Sequence, residues 1–215
     1  MSNTTLVSST KPRGVGDVGS ESSARSNMVA QRIDYRGSNV PGNELTAAPC
    51  HLVTPNDSVQ MESVRQIFRE YAGEIGIDLC FQDFESELSR LPGEYASPRG
   101  TLMLAMVNGE VAGCCGLRPL DSASLSNVAE LKRLYVRSAF RRLGLGRHLV
   151  RAILDAAHRI GYESVVLDTL DDMRAARAMY EDLGFGETSP YYHNPLPGVH
   201  YLRLDLIPRA SRSTA

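Results

Sequence analysis

The feature that most constrains the fold is a strand that stops at a glycine-rich turn and continues as a helix. It occupies residues 131–160, where Leu-Tyr-Val at 134–136 is typical of a strand and Arg-Arg-Leu-Gly-Leu-Gly-Arg follows at 141–147. Beyond the turn, apolar residues recur at helical spacing on one face. They are Leu145, Leu149, Ile153, Ala156 and Ile160. Gly161 stands where a helix C-cap is expected.

The turn predicts an anion site. Gly144 and Gly146 allow the backbone to approach a ligand closely, and the first amide groups of a helix have no partner within the helix. The helix dipole and nearby cations favour negative charge here, most simply a diphosphate. These cations are Arg141, Arg142, Arg147 and Arg151.

Three interpretations of such a turn compete. A dinucleotide-binding turn requires a further glycine and an acidic residue at the end of the next strand, and a nucleotide P-loop requires Gly-Lys-Ser/Thr. The sequence has neither arrangement. A tight turn without any ligand stays open on this pattern alone.

Two motifs in this order resemble those of the GNAT superfamily of acyl-CoA-dependent N-acetyltransferases. The first is Arg/Gln-x-x-Gly-x-Gly/Ala, and the second is Ala-x-x-x-Tyr-x-x-x-Gly-Phe. The matching residues are Arg141, Gly144 and Gly146, then Ala176, Tyr180, Gly184 and Phe185. The resemblance covers roughly residues 50–208. It implies an α/β domain with a mixed, mostly antiparallel sheet flanked by helices.

The same resemblance implies a function. An acetyl group passes from acetyl-CoA to a primary amine of a small molecule or a peptide, by direct attack in a ternary complex and without a metal. In that family a splayed strand and the glycine turn hold the coenzyme. The positions implied here are Leu134, Tyr135, Val136, Arg141, Arg142, Leu143, Gly144, Leu145, Gly146 and Arg147. Ordinary sheet pairing is the alternative for the strand, and an acyl-CoA-binding sensor or recruitment domain without catalysis is the alternative for the whole protein.

Two residues are candidate catalysts by this resemblance. Tyr180 corresponds to the acid that protonates the departing thiolate, with core packing as its alternative role. Glu130 lies eleven positions before Arg141, the separation of the catalytic glutamate in histone acetyltransferases of the superfamily. A carboxyl with a pKa near ~4 is a poor base for an ammonium near ~10, so it needs a water or a pKa raised by burial. Its alternative role is an ion pair with Lys132 or Arg133, or a cap at the edge of the strand.

The acceptor site is implied between the first two helices and the loop before the last strand. Aromatic and amide side chains at these places suit a small polar amine or the end of a peptide. They are Phe81, Tyr191, Tyr192 and Asn194, with His193 as an alternative base.

The rest of the chain gives the domain organisation. Residues 1–49 are rich in Ser, Gly, Asn and Thr and predict a disordered tail, residues 50–208 form the domain, and residues 209–215 form a flexible C-terminus. Within the domain the element order is predicted as βααβββαβαββ. Pro55-Asn56-Asp57 is the expected start signal of the first helix, Asn108-Gly109 a hairpin turn, and Asp171 or Asp172 the cap of the last helix.

Composition removes several other classes. A net charge of −2 and a pI near 6.2 give no attraction to nucleic acid or to an anionic membrane. No apolar run has the length of a membrane span, and no secretory signal begins the sequence, so a cytoplasmic protein is expected. Cysteines 50, 80, 114 and 115 lack zinc-type spacing and are expected to be reduced core thiols, so an acetyl-cysteine route is disfavoured. An exposed edge at the last strand favours a homodimer.

Overall fold

The computed structural model describes residues 50–76, 83–121 and 126–206. Its strands are β1 (Cys50–Val53), β2 (Thr101–Val107), β3 (Glu110–Pro119), β4 (Val128–Val136), β5 (Ser164–Leu170), β6 (Gly186–Glu187) and β7 (Val199–Asp205). Its helices are α1 (Ser58–Ile75), α2 (Phe84–Arg90), α3 (Leu145–Ile160) and α4 (Arg174–Asp182), with short 3-10 turns at Gly93–Tyr95 and Ser138–Phe140. The predicted tail and C-terminus, and the candidate Phe81, lie outside the described residues.

Seven strands form one sheet in the order β1-β2-β3-β4-β5-β7-β6. Only the β4–β5 neighbours are parallel; the other pairs in this described sheet are antiparallel. The predicted α/β fold with a mostly antiparallel sheet is therefore confirmed. The two-residue hairpin turn between β2 and β3 is also confirmed, because Asn108 and Gly109 both have the positive φ, 52° and 84°, that such a turn requires.

Helix α3 packs its apolar stripe on one face of the sheet. Leu149, Val150 and Ile153 are fully buried there, and Gly161 ends the helix in the left-handed conformation, with φ 102°. Ile160 is predicted on the same stripe, but it is exposed as the last residue of the helix.

Helices α1 and α2 build a second core with β2 and β3. Ile67 and Phe68 of α1 pack there with Leu88 of α2. Helix α1 begins at the predicted start signal, whose last residue, Asp57, caps it: its Oδ1 accepts the backbone N–H of Gln60 at 2.7 Å. None of the helices in the described ranges is long and apolar enough to cross a membrane.

Helix α4 begins differently from the prediction. Met173 occupies its N-cap position and no side chain caps the first turn, so the expected capping by Asp171 or Asp172 is wrong. Asp171 is held elsewhere, because its Oδ1 lies 2.6 Å from Nε2 of His200 on β7. This carboxylate is engaged by the imidazole, and the helix starts at Arg174.

Strand β7 is not the outermost strand, which corrects the premise of the homodimer prediction. Strand β5 pairs with it on one side, and on the other side β6 covers Leu202 and Arg203. His200 lies beside this edge between Asp171 and Glu187, whose Oε1 is 2.8 Å from its Nδ1. Hydrogen bonds to these two carboxylates raise the pKa of His200.

Candidate active site

Strands β4 and β5 separate after a short common stretch. Their pairing runs from Val128–Ser164 to Glu130–Val166, whereas β4 continues to Val136 and β5 to Leu170. The gap between them belongs to a cleft of about 700 Å³ that α1, α4 and the glycine turn also line. The splayed strand that the resemblance implies is therefore present.

A β-bulge in β4 shapes one wall of the cleft. Cys114 pairs with Tyr135 and Gly116 with Lys132, so one intervening residue of β3 lies opposite two of β4, at 133 and 134. Arg133 lies within this stretch with a φ of 59°, a left-handed conformation that is uncommon for a residue with a side chain. The bulge turns the backbone of β4 just where the strands part.

The Arg133 side chain ties this bulge to helix α2. Its Nε and Nη2 donate to the Glu87 carboxylate at 3.2 and 2.5 Å, and the Tyr95 hydroxyl donates to the same group at 2.7 Å. The guanidinium also lies 5.1 Å from the ring centre of Phe84. Burial opposes ionisation of Glu87, but hydrogen bonding and the charge of Arg133 prevail and lower its pKa.

The glycine turn opens α3 without a side-chain cap. Gly144 is the N-cap with φ 77°, and Arg142 before it also has a positive φ, 63°. All but one of the implied coenzyme positions line the cleft: Leu134, Tyr135, Val136, Arg141, Arg142, Gly144, Leu145, Gly146 and Arg147. Leu143 is the exception, since it is exposed and lies outside the lining set.

A carboxylate from α1 forms an ion pair with one of the arginines of the turn. Arg141 donates from Nε to the carbonyl of Val136 at 3.0 Å and from Nη2 to the carboxylate of Glu74. The hydroxyl of Tyr135 donates to the other oxygen of Glu74 at 2.8 Å. Hydrogen bonding to Arg141 and then to Tyr135 lowers the pKa of Glu74, so a negative charge lines the cleft beside the turn.

Tyr180 lies on the cleft wall formed by α4. It is buried, its ring meets Phe185 edge-on at 5.6 Å, and burial raises its pKa well above the usual value. Within the described part of the chain, its hydroxyl forms no hydrogen bond. A protonated phenol is thus held at the cleft with its donor free.

Glu130 is placed differently. Only 1% of it is exposed, and it is absent from the cleft lining. Arg118 donates to Oε2 at 2.8 Å, while Lys132 Nζ lies 3.4 Å from Oε1. The ion pair with Lys132 that the sequence offers as an alternative is therefore formed, and Arg133 pairs elsewhere.

The loop between β6 and β7 meets the two parallel strands. Tyr191 donates to Glu130 Oε1 at 2.9 Å, and Tyr192 donates to Asp168 Oδ2 at 2.9 Å. Asn194 reaches the same Asp168 oxygen from Nδ2 at 3.3 Å. These three predicted acceptor residues are thus gathered, but around two carboxylates rather than on the cleft surface.

Asp168 is the residue that sequence reasoning missed. It lies on β5 beyond the last pair with β4, and it lines the cleft. Its one sequence signal is that it is the single charged residue in the strand Ser-Val-Val-Leu-Asp-Thr-Leu at 164–170. Such a residue in a strand core calls for a partner.

Two of the three described cysteines are core residues as predicted, whereas Cys50 on β1 is only partly buried. Cys114 and Cys115 are buried in β3 and absent from the cleft lining, and burial raises the pKa of both thiols. They are protonated core residues rather than thiolate nucleophiles.

The cleft suits an acyl-CoA in three respects. The uncapped first turn of α3 and the arginines beside it provide for an anionic group. The separated edges of β4 and β5 offer backbone groups to an extended chain that carries amides. Tyr180 and Asp168 supply a proton donor and a carboxylate farther along the same cleft.

Comparisons with known proteins agree with this geometry. An uncharacterized N-acetyltransferase of Schizosaccharomyces pombe is 39% identical over 147 residues, covering 68% of this chain and 88% of the relative. A GNAT-family acetyltransferase structure from Staphylococcus aureus superposes with a TM-score of 0.61 at 22% identity, covering 74% of this chain and 99% of that one. YncA from Salmonella typhimurium, solved with its cofactor acetyl-CoA, gives 0.55 at 18% identity, covering 77% and 99%.

The sequence model of the acetyltransferase (GNAT) family matches residues 61–185, which contain both motifs, the bulge and Tyr180. The resemblance read from the glycine turn is therefore confirmed, and the enzyme class is that of an acyltransferase. This chain belongs to the GNAT acetyltransferase family.

Proposed function

We propose that this protein transfers an acetyl group from acetyl-CoA to the primary amine of a small molecule or a peptide, by direct attack with both substrates bound. The observation that carries the proposal is that the glycine turn, the splayed part of β4 and Tyr180 line one cleft. These features come from two separate segments of the chain, the continuous stretch 134–147 and helix α4, so their convergence does not follow from either motif alone.

The donor is proposed to lie along this cleft. The first-turn amides of α3, with Arg142 and Arg147, are suited to its diphosphate. The backbone of residues 134–136 is suited to its pantetheine arm. Because main-chain groups make most of these contacts with the coenzyme, the separation of β4 from β5 matters more for binding than the side chains of β4.

Transfer requires a balance of protons. The acceptor ammonium loses one proton before attack and a second as the amide forms, and the sulfur of CoA takes one up when its bond to carbon breaks. Tyr180 is proposed to give the proton to sulfur and to recover one from the nitrogen. Glu130 is proposed to support the removal of the first proton through Lys132, since both its oxygens are already bonded.

The proposal is tested by following thiol release from acetyl-CoA with a panel of free amino acids, aliphatic monoamines and short peptides. At least one amine should accelerate release, and Tyr180→Phe should lower its turnover by roughly 10²-fold, about 3 kcal/mol in barrier. The control is Tyr162→Phe, a buried tyrosine whose hydroxyl bonds to the carbonyl of Arg99 away from the cleft.

A panel in which acetyl-CoA binds and no amine accelerates thiol release contradicts the proposal. It favours instead the acyl-CoA-binding module without catalysis. If Tyr180→Phe and Tyr162→Phe lose the same amount of turnover, the proposed transferase activity still stands. Tyr180 then has no part in the chemical step.

A further inference from the structure

A row of alternating charges runs from the protein surface to the cleft. Glu94 binds Arg118 at 2.7 Å, Arg118 binds Glu130 at 2.8 Å, and Lys132 Nζ lies 3.4 Å from Glu130 and 3.1 Å from Asp168. The row therefore contains three carboxylates and two cations. Its outer end, Glu94, is exposed to water, whereas its inner end is Asp168.

The inner end lacks a cation beyond Lys132. The other Asp168 oxygen, Oδ2, accepts hydrogen bonds from Tyr192 and Asn194, which are neutral. No further cation contacts Asp168 from residues 50–76, 83–121 or 126–206. Because alternating charges stabilise one another most where water is scarce, the next place in this row suits a positive group.

Asp168 is also the member of the row that a substrate can reach. It lines the cleft and its side chain is 15% exposed, whereas that of Glu130 is 1% exposed and outside the lining. The β4–β5 pairing explains the difference. Glu130 is at the last paired position and Asp168 lies two residues past its partner, Val166, where the strands have parted.

We propose that Asp168 binds the acceptor ammonium and takes its first proton, and that Glu130 is a positioning residue which acts through Lys132. This inference rests on the proposed transferase function. The N–H bond of the ammonium breaks, its electron pair stays on nitrogen for attack on the thioester carbon, and the proton rests on Asp168 until solvent removes it. No other reactant is needed.

Lys132 and Glu130 have a defined part in this step. When Asp168 takes a proton its charge disappears, and Lys132 remains as a nearly buried cation 3.4 Å from Glu130. A buried charge without a partner is strongly unfavourable. Glu130 supplies that partner, which explains a buried glutamate that does not touch the cleft.

Several titratable groups surround Asp168 and act on the same chemistry. They are Lys132 and Glu130 from β4, Tyr71 from α1, Tyr180 from α4, Tyr201 from β7, and Tyr191 and Tyr192 from the loop before β7. Burial raises the pKa of the phenols, so the five tyrosines of this set are neutral near pH 7.

The test compares two nucleophiles that differ in charge at pH 7. One is the fastest ammonium acceptor of the amine panel, and the other is hydroxylamine, which is already neutral. Asp168→Asn should lower kcat/KM for the ammonium by roughly 10² or more, and for hydroxylamine by less than about tenfold. Asp168→Glu should recover part of the loss, and formate should partly rescue Asp168→Gly.

Controls separate this step from folding and from the transferase proposal itself. Asp205→Asn removes an exposed carboxylate from neighbouring β7 and should leave both rates unchanged. The dissociation constant for CoA should stay within about threefold in Asp168→Asn. If Asp168→Asn does not fold, Tyr192→Phe serves instead and should slow the ammonium by roughly tenfold more than hydroxylamine.

Two results overturn the inference. One is an equal loss for both nucleophiles in Asp168→Asn, or in Tyr192→Phe where that variant replaces it. The other is a larger ammonium-specific loss in Glu130→Gln than in Asp168→Asn. A wild-type enzyme that acetylates no amine refutes the transferase proposal and the inference with it, whereas an active wild type with either result above refutes the inference alone.

Discussion

Replacing Glu87 by glutamine should destabilise the domain far more than an ordinary loss of one surface charge. Glu87 is the counterion of Arg133, whose side chain is 2% exposed, so the substitution leaves a guanidinium that water cannot reach. Breaking such a pair on one side costs about 3–5 kcal/mol. The rings of Tyr71 and Phe84 face the cation at 5.9 and 5.1 Å in both proteins, so their attraction cancels from the difference. The amide oxygen of the glutamine still accepts a hydrogen bond from the guanidinium, which puts the loss at the lower end of this range. We therefore expect a loss of about 3 kcal/mol.

Thermal and urea unfolding followed by circular dichroism measure this loss. For a domain of this size 3 kcal/mol corresponds to a fall in Tm of about 6–12 °C. Asp83→Asn is the control, because its pair with Arg90 at 3.1 Å is 73% and 67% exposed and is worth at most about 1 kcal/mol. Changing both partners, Glu87→Leu with Arg133→Met, should restore most of the stability.

The pH dependence gives a second check on the same pair. The pKa of Glu87 is lower in the folded protein, so its contribution is present above the unfolded pKa and is lost as pH falls through the folded value. The difference between wild type and Glu87→Gln should therefore shrink in acid. A Glu87→Gln protein as stable as Asp83→Asn at pH 7 would falsify the reasoning.

Three further outcomes are expected. Glu74→Gln should tighten CoA binding by about tenfold, measured by calorimetry, because it removes a carboxylate that competes with an anion for Arg141; weaker binding contradicts this. His200 has a raised pKa, so its stabilisation of the fold is complete below the unfolded pKa of about 6.5 and disappears as pH rises through the folded value. The difference in unfolding free energy between wild type and His200→Gln should therefore fall to zero between pH 6 and 8. A difference that grows over this range refutes the prediction. Gly113→Ala should cost about 1–3 kcal/mol in urea unfolding, since its new Cβ lies 2.7 Å from the Tyr135 carbonyl oxygen, and a neutral effect would show that β4 yields easily.

Local patterns in the sequence predict the parts of the fold that local forces determine. The Asn108-Gly109 turn, the start signal of α1 and the stripe of α3 each depend on residues within a turn or two of one another, and the structure has all three. The predicted cap of α4 is wrong because its position depends on a residue that is distant in the sequence. Asp171 finds a partner in His200, 29 positions away, and no local pattern contains that residue.

The candidate site divides in the same manner. Arg141, Gly144 and Tyr180 carry motif spacing and line the cleft as the resemblance implies. The pairing of Arg133 with Glu87 and the place of Asp168 depend on register between distant strands and on a one-residue bulge. Neither feature can be predicted from the sequence, because a shift of one residue in strand register moves every side chain of that strand to the opposite face of the sheet.

The short joint between β4 and β5 gives the sheet two leaves, β1 to β4 on one side and β5, β7 and β6 on the other. Antiparallel hydrogen-bond ladders connect the strands within each leaf. Within the sheet, only residues 128–130 of β4, which pair with β5, connect the two leaves. Small tilts about this seam break no ladder inside either leaf. In hydrogen–deuterium exchange, the cleft-facing amides of β4 and β5 should therefore exchange early and those of β2 late. A molecule that holds the two leaves apart at a fixed angle should slow the exchange of these cleft-facing amides without altering any strand.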